Sequence, residues 1–191
     1  MPPKQRFSKE EVLNTAFKLV REKGVESLNA RNVAKMLDSS TQPIFSYYEN
    51  MADLKADLFL MVKEFHSRYL DKVETEGDLL LNIGMAYIDF AIEEPNLFKL
   101  MFMSNGFSGM KIGDFFSAFD DGCNKHLENA LSDTFEFKLP EAYPIFIDIW
   151  LYAHGIASML VMNQLPTPRS EIESMLRNMY DMLQKQMTRR K

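Results

Sequence analysis

Between Arg31 and Tyr48 the sequence gathers the side chains best suited to contact with a polyanion. Arg31 and Lys35 stand one helical turn apart, Ser40, Thr41 and Gln42 follow, and Tyr47 and Tyr48 come just beyond. A carboxamide such as that of Gln42 can pair bidentately with an adenine edge, and the short hydroxyls of Ser40 and Thr41 can reach base edges. One of the two tyrosines can set its hydroxyl on a phosphate, while Arg31 and Lys35 supply charge towards the backbone. Material for catalysis is sparse. His66, His126 and His154 are widely separated, and the chain has no Gly-rich phosphate loop, no nucleophile elbow and no Cys/His pair at zinc-ligand spacing. An enzyme is therefore the poorer reading, and neither a cofactor nor a metal is expected.

Charge alone argues against a nucleic-acid partner, because the net value is -5. The average conceals a division. Residues 1–55 hold nine Lys/Arg against seven Asp/Glu, a net of +2, whereas residues 56–191 hold 13 against 20, a net of -7. The acidic excess thus lies wholly in the later part. With 46% hydrophobic residues the chain can bury a core. The single Cys123 cannot form an internal disulfide, which fits a reducing, cytoplasmic setting. The opening MPPKQRFSKEE lacks the apolar stretch of a signal peptide, and no apolar run approaches the roughly 18 residues of a membrane span.

The elements that must position these residues read as helices. Almost every segment between breakers shows helical periodicity, so the fold class expected is all-α, with about nine helices. Ser8 with Glu11 forms a capping box for a first helix whose inward face is Val12, Leu13, Ala16, Phe17 and Val20, stopped at Gly24. Asn29 can cap a short second helix holding Val33, Ala34 and Leu37. Asp38-Ser39-Ser40 supplies turn chemistry, and Ser40 can cap a third helix over 41–47, with Pro43 tolerated in its first turn. A fourth opens at Asn50 and runs towards Val73. Others are expected at 79–94, 96–103, 114–131, 142–164 and 169–188, the last begun by a Ser170/Glu173 capping box, and a glycine-containing loop is expected from Ser104 to Gly113.

Two short helices joined by a tight turn and backed by an earlier helix have the geometry that lets one of them enter the major groove. Spacing alone leaves a plain helical hairpin equally open. Residues 8–55, however, resemble the N-terminal domain of the TetR family of bacterial regulators, first in VLNTAFKLVREKGVESL and then in LNARNVAKMLDSSTQPIFSYYENMADL. The resemblance implies a helix-turn-helix DNA-binding domain over 1–50 that uses Arg31, Lys35, Ser40, Thr41, Gln42, Tyr47 and Tyr48. Some positions depart from the family pattern. Asp38 and Ser39 replace a glycine and a small apolar residue, Phe45 replaces a tyrosine, and Met51 replaces a lysine. The last two of these usual residues contact phosphate in the family, so weaker or less salt-dependent binding is implied.

The later segments AYIDFAIEEPNLFKLMF and IWLYAHGIASMLV resemble the C-terminal domains of one TetR subgroup, with a Trp and a His-Gly pair on a single helix. This implies an effector-binding and dimerisation domain over 51–191, in which the last two long helices pair with those of a second copy. Ile156, Met159, Leu160, Met175, Leu176, Met179 and Leu183 are the residues such pairing would use, although the same periodicity is compatible with a monomer core. Phe65, Tyr69, Tyr87, Phe90, Phe98, Phe102, Phe119, Trp150 and His154 can line an adaptable apolar pocket, and each one singly can equally be core packing. The expected function is a homodimeric transcriptional regulator, a repressor released from a double-stranded DNA operator by a partly apolar small molecule. A helical ligand-binding protein with a degenerate headpiece is the alternative.

Overall fold

The computed structural model describes residues 7–73, 76, 78–104, 139–163 and 165–188. Among these residues the chain is helical, with eight α-helices and no strand. They are α1 Lys9–Lys23, α2 Ala30–Met36, α3 Gln42–Phe45, α4 Met51–Leu70, α5 Leu79–Glu93, α6 Pro95–Phe102, α7 Leu139–Asn163 and α8 Arg169–Thr188. The all-α class stands. The helix expected at 114–131 and the loop expected from 104 to 113 fall outside the described residues, except for Ser104.

Two units make up the chain, the first drawn from Met1–His66 and Glu94–Gly109, the second from Ser67–Glu93 and Met110–Lys191. In the first, α1 begins at the capping box: Ser8 Oγ accepts from the Glu11 amide at 3.1 Å and the Glu11 carboxylate accepts from the Ser8 amide at 2.7 Å. Val12, Ala16, Leu19 and Val20 are buried, and α1 packs on α2, α3 and α6. Gly24 closes the helix at φ +79° and ψ 165°, a region open essentially to glycine alone. A short 3-10 turn, Val25–Ser27, follows before Asn29 caps α2 by accepting from the Asn32 amide at 2.9 Å.

The turn after α2 explains one departure from the family pattern. The Ser39 amide reaches back to the Ala34 carbonyl at 3.0 Å while Asp38 takes φ 47°, so the helix closes in a Schellman-type turn. Glycine is the usual occupant of such a position. Aspartate is among the few other residues that enter the left-handed region at modest cost, so the backbone keeps its path without the glycine. α3 is shorter than the expected 41–47, because Thr41 is its N-cap residue and Ser46 its C-cap. Ser40 still assists by accepting from the Gln42 amide at 3.3 Å. α4 starts one residue after Asn50, whose carboxamide oxygen accepts from the Ala52 and Asp53 amides at 2.8 and 3.1 Å. It ends at Leu70, short of Val73.

In the second unit α5 packs on α7 and α8. Its core holds Leu80, Leu81, Met85, Ile88, Phe90, Ala91, Ile149, Ala153, Ala157, Ile172 and Leu176. Gly84 lets α8 approach: a Cβ there would stand 2.5 Å from Tyr180 Oη, which donates to the Leu80 carbonyl at 3.2 Å. α7 begins at Leu139, three residues before its expected start, because Pro140 falls in the first turn, where no intrahelical donor is required. α8 corrects the expected capping box. The helix is entered from Pro168, whose carbonyl accepts from the Glu171 and Ile172 amides, so Ser170 is already helical, and Glu173 instead accepts from Arg177 at 2.9 Å. No helix of the described residues is long and apolar enough to cross a membrane.

Candidate nucleic-acid interface and effector site

The α2–turn–α3 segment divides its side chains cleanly. Val33, Ala34, Leu37 and Ile44 are buried, and Arg31, Lys35, Ser40 and Gln42 are exposed, with Thr41 half-buried. The apolar spacing that makes the two helices pack therefore turns the basic, hydroxyl and amide groups outward together. Such a surface can donate to phosphates through Arg31 and Lys35, and can both donate to and accept from a base edge through Gln42.

The two tyrosines behave differently from the exposed set. Tyr47 is half-buried and its hydroxyl donates to the Phe7 carbonyl at 2.9 Å, tying the start of the described chain to the turn after α3. Tyr48 is 4% exposed. Its hydroxyl is buried beside the Asp57 carboxylate. Burial, reinforced by that carboxylate, pushes the phenol up to about 12. Lys9 Nζ lies 5.0 Å from the ring centroid and 2.7 Å from Asp57 Oδ2, so α1 and α4 hold Tyr48 between them. To reach a phosphate, the Tyr48 hydroxyl would have to leave this site. The roles of Lys9 and Asp57 in bracing the segment are not readable from sequence, since neither lies at a spacing that points to Tyr48.

The aromatic residues expected to line a pocket divide between the units. In the first, Phe65 packs on Phe17 at 5.4 Å between centroids and Phe98 on Phe102 at 5.0 Å, with His66 set edge-on to Phe102 at 5.7 Å. His66 is 5% exposed, and burial brings its pKa down to about 4. In the second unit Tyr69 meets Phe90 edge-on at 5.3 Å. Tyr87, Trp150 and His154 form a separate cluster. The Tyr87 hydroxyl and His154 Nδ1 are hydrogen-bonded at 2.8 Å, and the indole stacks on the imidazole at 4.5 Å with an 11° angle between planes. Burial raises the Tyr87 phenol well above its ordinary value and lowers the His154 imidazole, so both are held neutral. The outcome is a polar pair set among apolar rings. Phe119 lies outside the described residues.

Of the residues suited to pairing with a second copy, Leu160, Leu176 and Met179 are already buried within their own unit. Ile156 and Leu183 are half-buried, and Met159 and Met175 are exposed. The exposed apolar surface also includes Met162 and Met182, three positions after Met159 and seven after Met175, which the same helical spacing could have revealed. No group of three or more His, Cys, Asp or Glu among the described residues can hold a metal ion.

Residues 80–183, more than half of the chain, match the family described as tetracyclin repressor-like, C-terminal domain. Several solved structures share the fold. A member of the TetR family from Streptomyces coelicolor A3 is 15% identical with a TM-score of 0.62, covering 92% of this chain and 98% of its own. A transcriptional regulator from Rhodococcus sp. Rha1 is 17% identical, covering 92% and 95%, also with a TM-score of 0.62. A protein of unknown function from Rhodococcus sp. RHA1 is 18% identical, covering 97% and 98%, with a TM-score of 0.66. No curated protein matches the sequence.

Proposed function

The chain belongs to the tetracyclin-repressor-like (TetR) family, and from that premise we propose that it is a cytoplasmic transcriptional repressor, a homodimer that binds a double-stranded DNA operator and is released by a small-molecule effector. In this reading residues 1–50 are the DNA-binding domain and residues 51–191 bind the effector and dimerise. The observation that carries it is the division of the α2–α3 segment, with Arg31, Lys35, Ser40 and Gln42 exposed over a buried Val33, Ala34, Leu37 and Ile44. Helix pairs built this way present a reading face to the groove and cations to the backbone.

Dimerisation is supported by the apolar surface of the second unit. Met159 and Met162 on α7 and Met175 and Met182 on α8 are exposed to between 37% and 64%, and Gly155 has open space where a side chain would stand. An apolar surface of this kind is better covered by a second copy than by water, and two headpieces then bind two half-sites. The effector reading rests on the Tyr87–His154 pair beside Trp150, which offers one hydrogen-bonding point in an apolar setting and suits a partly apolar ligand. Release requires that the effector bind one conformation better than the other, and by reciprocity DNA then weakens effector binding.

The deciding experiment is a fluorescence-anisotropy titration of the full chain against its own upstream DNA at two salt concentrations, with a scrambled duplex as control. Specific, salt-weakened binding is the expected result. A second reading, a helical ligand-binding protein with a degenerate headpiece, is favoured by Phe45, Met51 and the buried Tyr48 hydroxyl. Flat titrations at low salt would put that reading in the lead instead.

A further inference from the structure

Phe45 is 48% exposed on α3, beside the residues that the proposed function assigns to DNA. Gln42, also exposed, lies three positions earlier, and at about 100° per helical residue the two side chains share a face. Ile44 is fully buried and anchors the helix from the other side. Most hydroxyls around this face are already engaged within the protein. Ser40 Oγ accepts from the Gln42 amide, Ser46 Oγ donates to the Pro43 carbonyl at 2.7 Å, Tyr47 donates to Phe7, and the Tyr48 hydroxyl is buried. What α3 itself turns outward is an amide and, one turn on, a bare aromatic ring.

A phenyl ring has no donor or acceptor for a phosphate or a base edge. The apolar feature that the major groove of DNA offers is the C5 methyl of thymine, which aromatic and methyl-bearing side chains cover. We propose that Phe45 reads a thymine methyl in each operator half-site, so that the position where the family pattern has a phosphate-binding tyrosine has become a specificity contact. This rests on the DNA-binding reading above. The exposed ring offers a contact that distinguishes thymine from adenine, guanine and unmethylated cytosine.

The test selects an operator for the full-length protein from a random duplex pool, then replaces each half-site thymine in turn by uracil, which pairs identically and lacks only the methyl. Wild-type protein is expected to lose about fourfold in affinity per half-site at one such position, the equivalent of one buried methyl. Phe45→Ala should bind the thymine operator with a similar loss and be indifferent to uracil there, while Phe45→Tyr, which keeps the ring, should remain sensitive. Melting temperatures close to wild type would confirm that the variants fold, as half-exposure of the residue leads one to expect. A selected operator whose affinity is unmoved by uracil at every thymine, or equal uracil sensitivity in Phe45→Ala, would overturn the proposal while leaving the regulator reading intact. Failure to select any sequence would overturn both.

Discussion

Arg21 and Glu94, 73 residues apart in sequence, meet in a two-point ion pair: Arg21 Nε donates to Glu94 Oε2 at 2.8 Å, and Nη2 donates to Oε1. The pair joins the last turn of α1 to the residue that precedes α6, and the Asn96 side-chain Nδ2 donates to the Arg21 carbonyl at 2.9 Å alongside it. Within the first unit this fixes α6 to the helix that backs the α2–α3 segment.

The two partners are unequally buried, with side-chain exposures of 49% for Arg21 and 10% for Glu94. Arg21→Met strands a carboxylate in the protein, whereas Glu94→Gln leaves a guanidinium that water can reach. We expect Arg21→Met to cost about 2 kcal/mol and Glu94→Gln about 1 kcal/mol. Urea midpoints for the two variants check the asymmetry, and equal losses would show that burial does not govern the pair.

Gly84 and Tyr180 are coupled by contact. Gly84→Ala places a methyl 2.5 Å from Tyr180 Oη and 3.3 Å from Leu176 Cδ1, so the Tyr180 side chain or α8 itself must shift, at a cost of about 1–3 kcal/mol. Tyr180→Phe loses the bond to the Leu80 carbonyl, at about 1 kcal/mol. Because removing the hydroxyl makes room for the methyl, the double variant should be destabilised by less than the sum. Strict additivity in a thermal-denaturation cycle would contradict this packing.

His66 gives stability a pH dependence of definite sign. Its folded-state pKa is brought down to about 4 by burial, while the unfolded chain protonates near 6.5. Between those values the unfolded state binds the extra proton. Stability is therefore fully present above pH 6.5 and falls as the pH drops towards 4, by about 3 kcal/mol in all. His154, lowered less strongly, acts in the same direction. Denaturant midpoints measured from pH 7.5 to 4.5 should fall for the wild type and flatten for His66→Leu. A variant slope as steep as the wild type would assign the effect to other groups.

Arg31 and Lys35 are exposed cations on α2, assigned above to the phosphate backbone. Substituting either by Ala should weaken binding nearly uniformly across operator sequences and reduce the slope of log affinity against log salt by about 1. Gln42→Ala should instead relax the preference at one base position, with a loss of about 1–3 kcal/mol confined to the cognate operator. Interchanged outcomes would mean that the reading and positioning roles have been assigned the wrong way round.

The sequence by itself determined what is local. Capping residues at Ser8, Asn29 and Asn50, apolar spacing along each helix and the proline positions set the all-α class and most of the helix bounds, because a helix is closed by bonds between near neighbours in the chain. The outward set at Arg31, Lys35, Ser40 and Gln42 was legible for the same reason, as the complement of the buried set on two short helices. The interior-facing consequences were not. Nothing in the sequence distinguishes Tyr47, tied to a backbone carbonyl, from Tyr48, enclosed by Lys9 and Asp57, and nothing pairs Arg21 with Glu94 or Tyr87 with His154. Periodicity says that Leu176 and Met175 lie on a helix, but only the packing of α5 against α8 decides that the first is buried within the chain and the second is exposed. Those outcomes depend on which residues, distant in sequence, exclude water from a given side chain, and that is decided only when the helices come together.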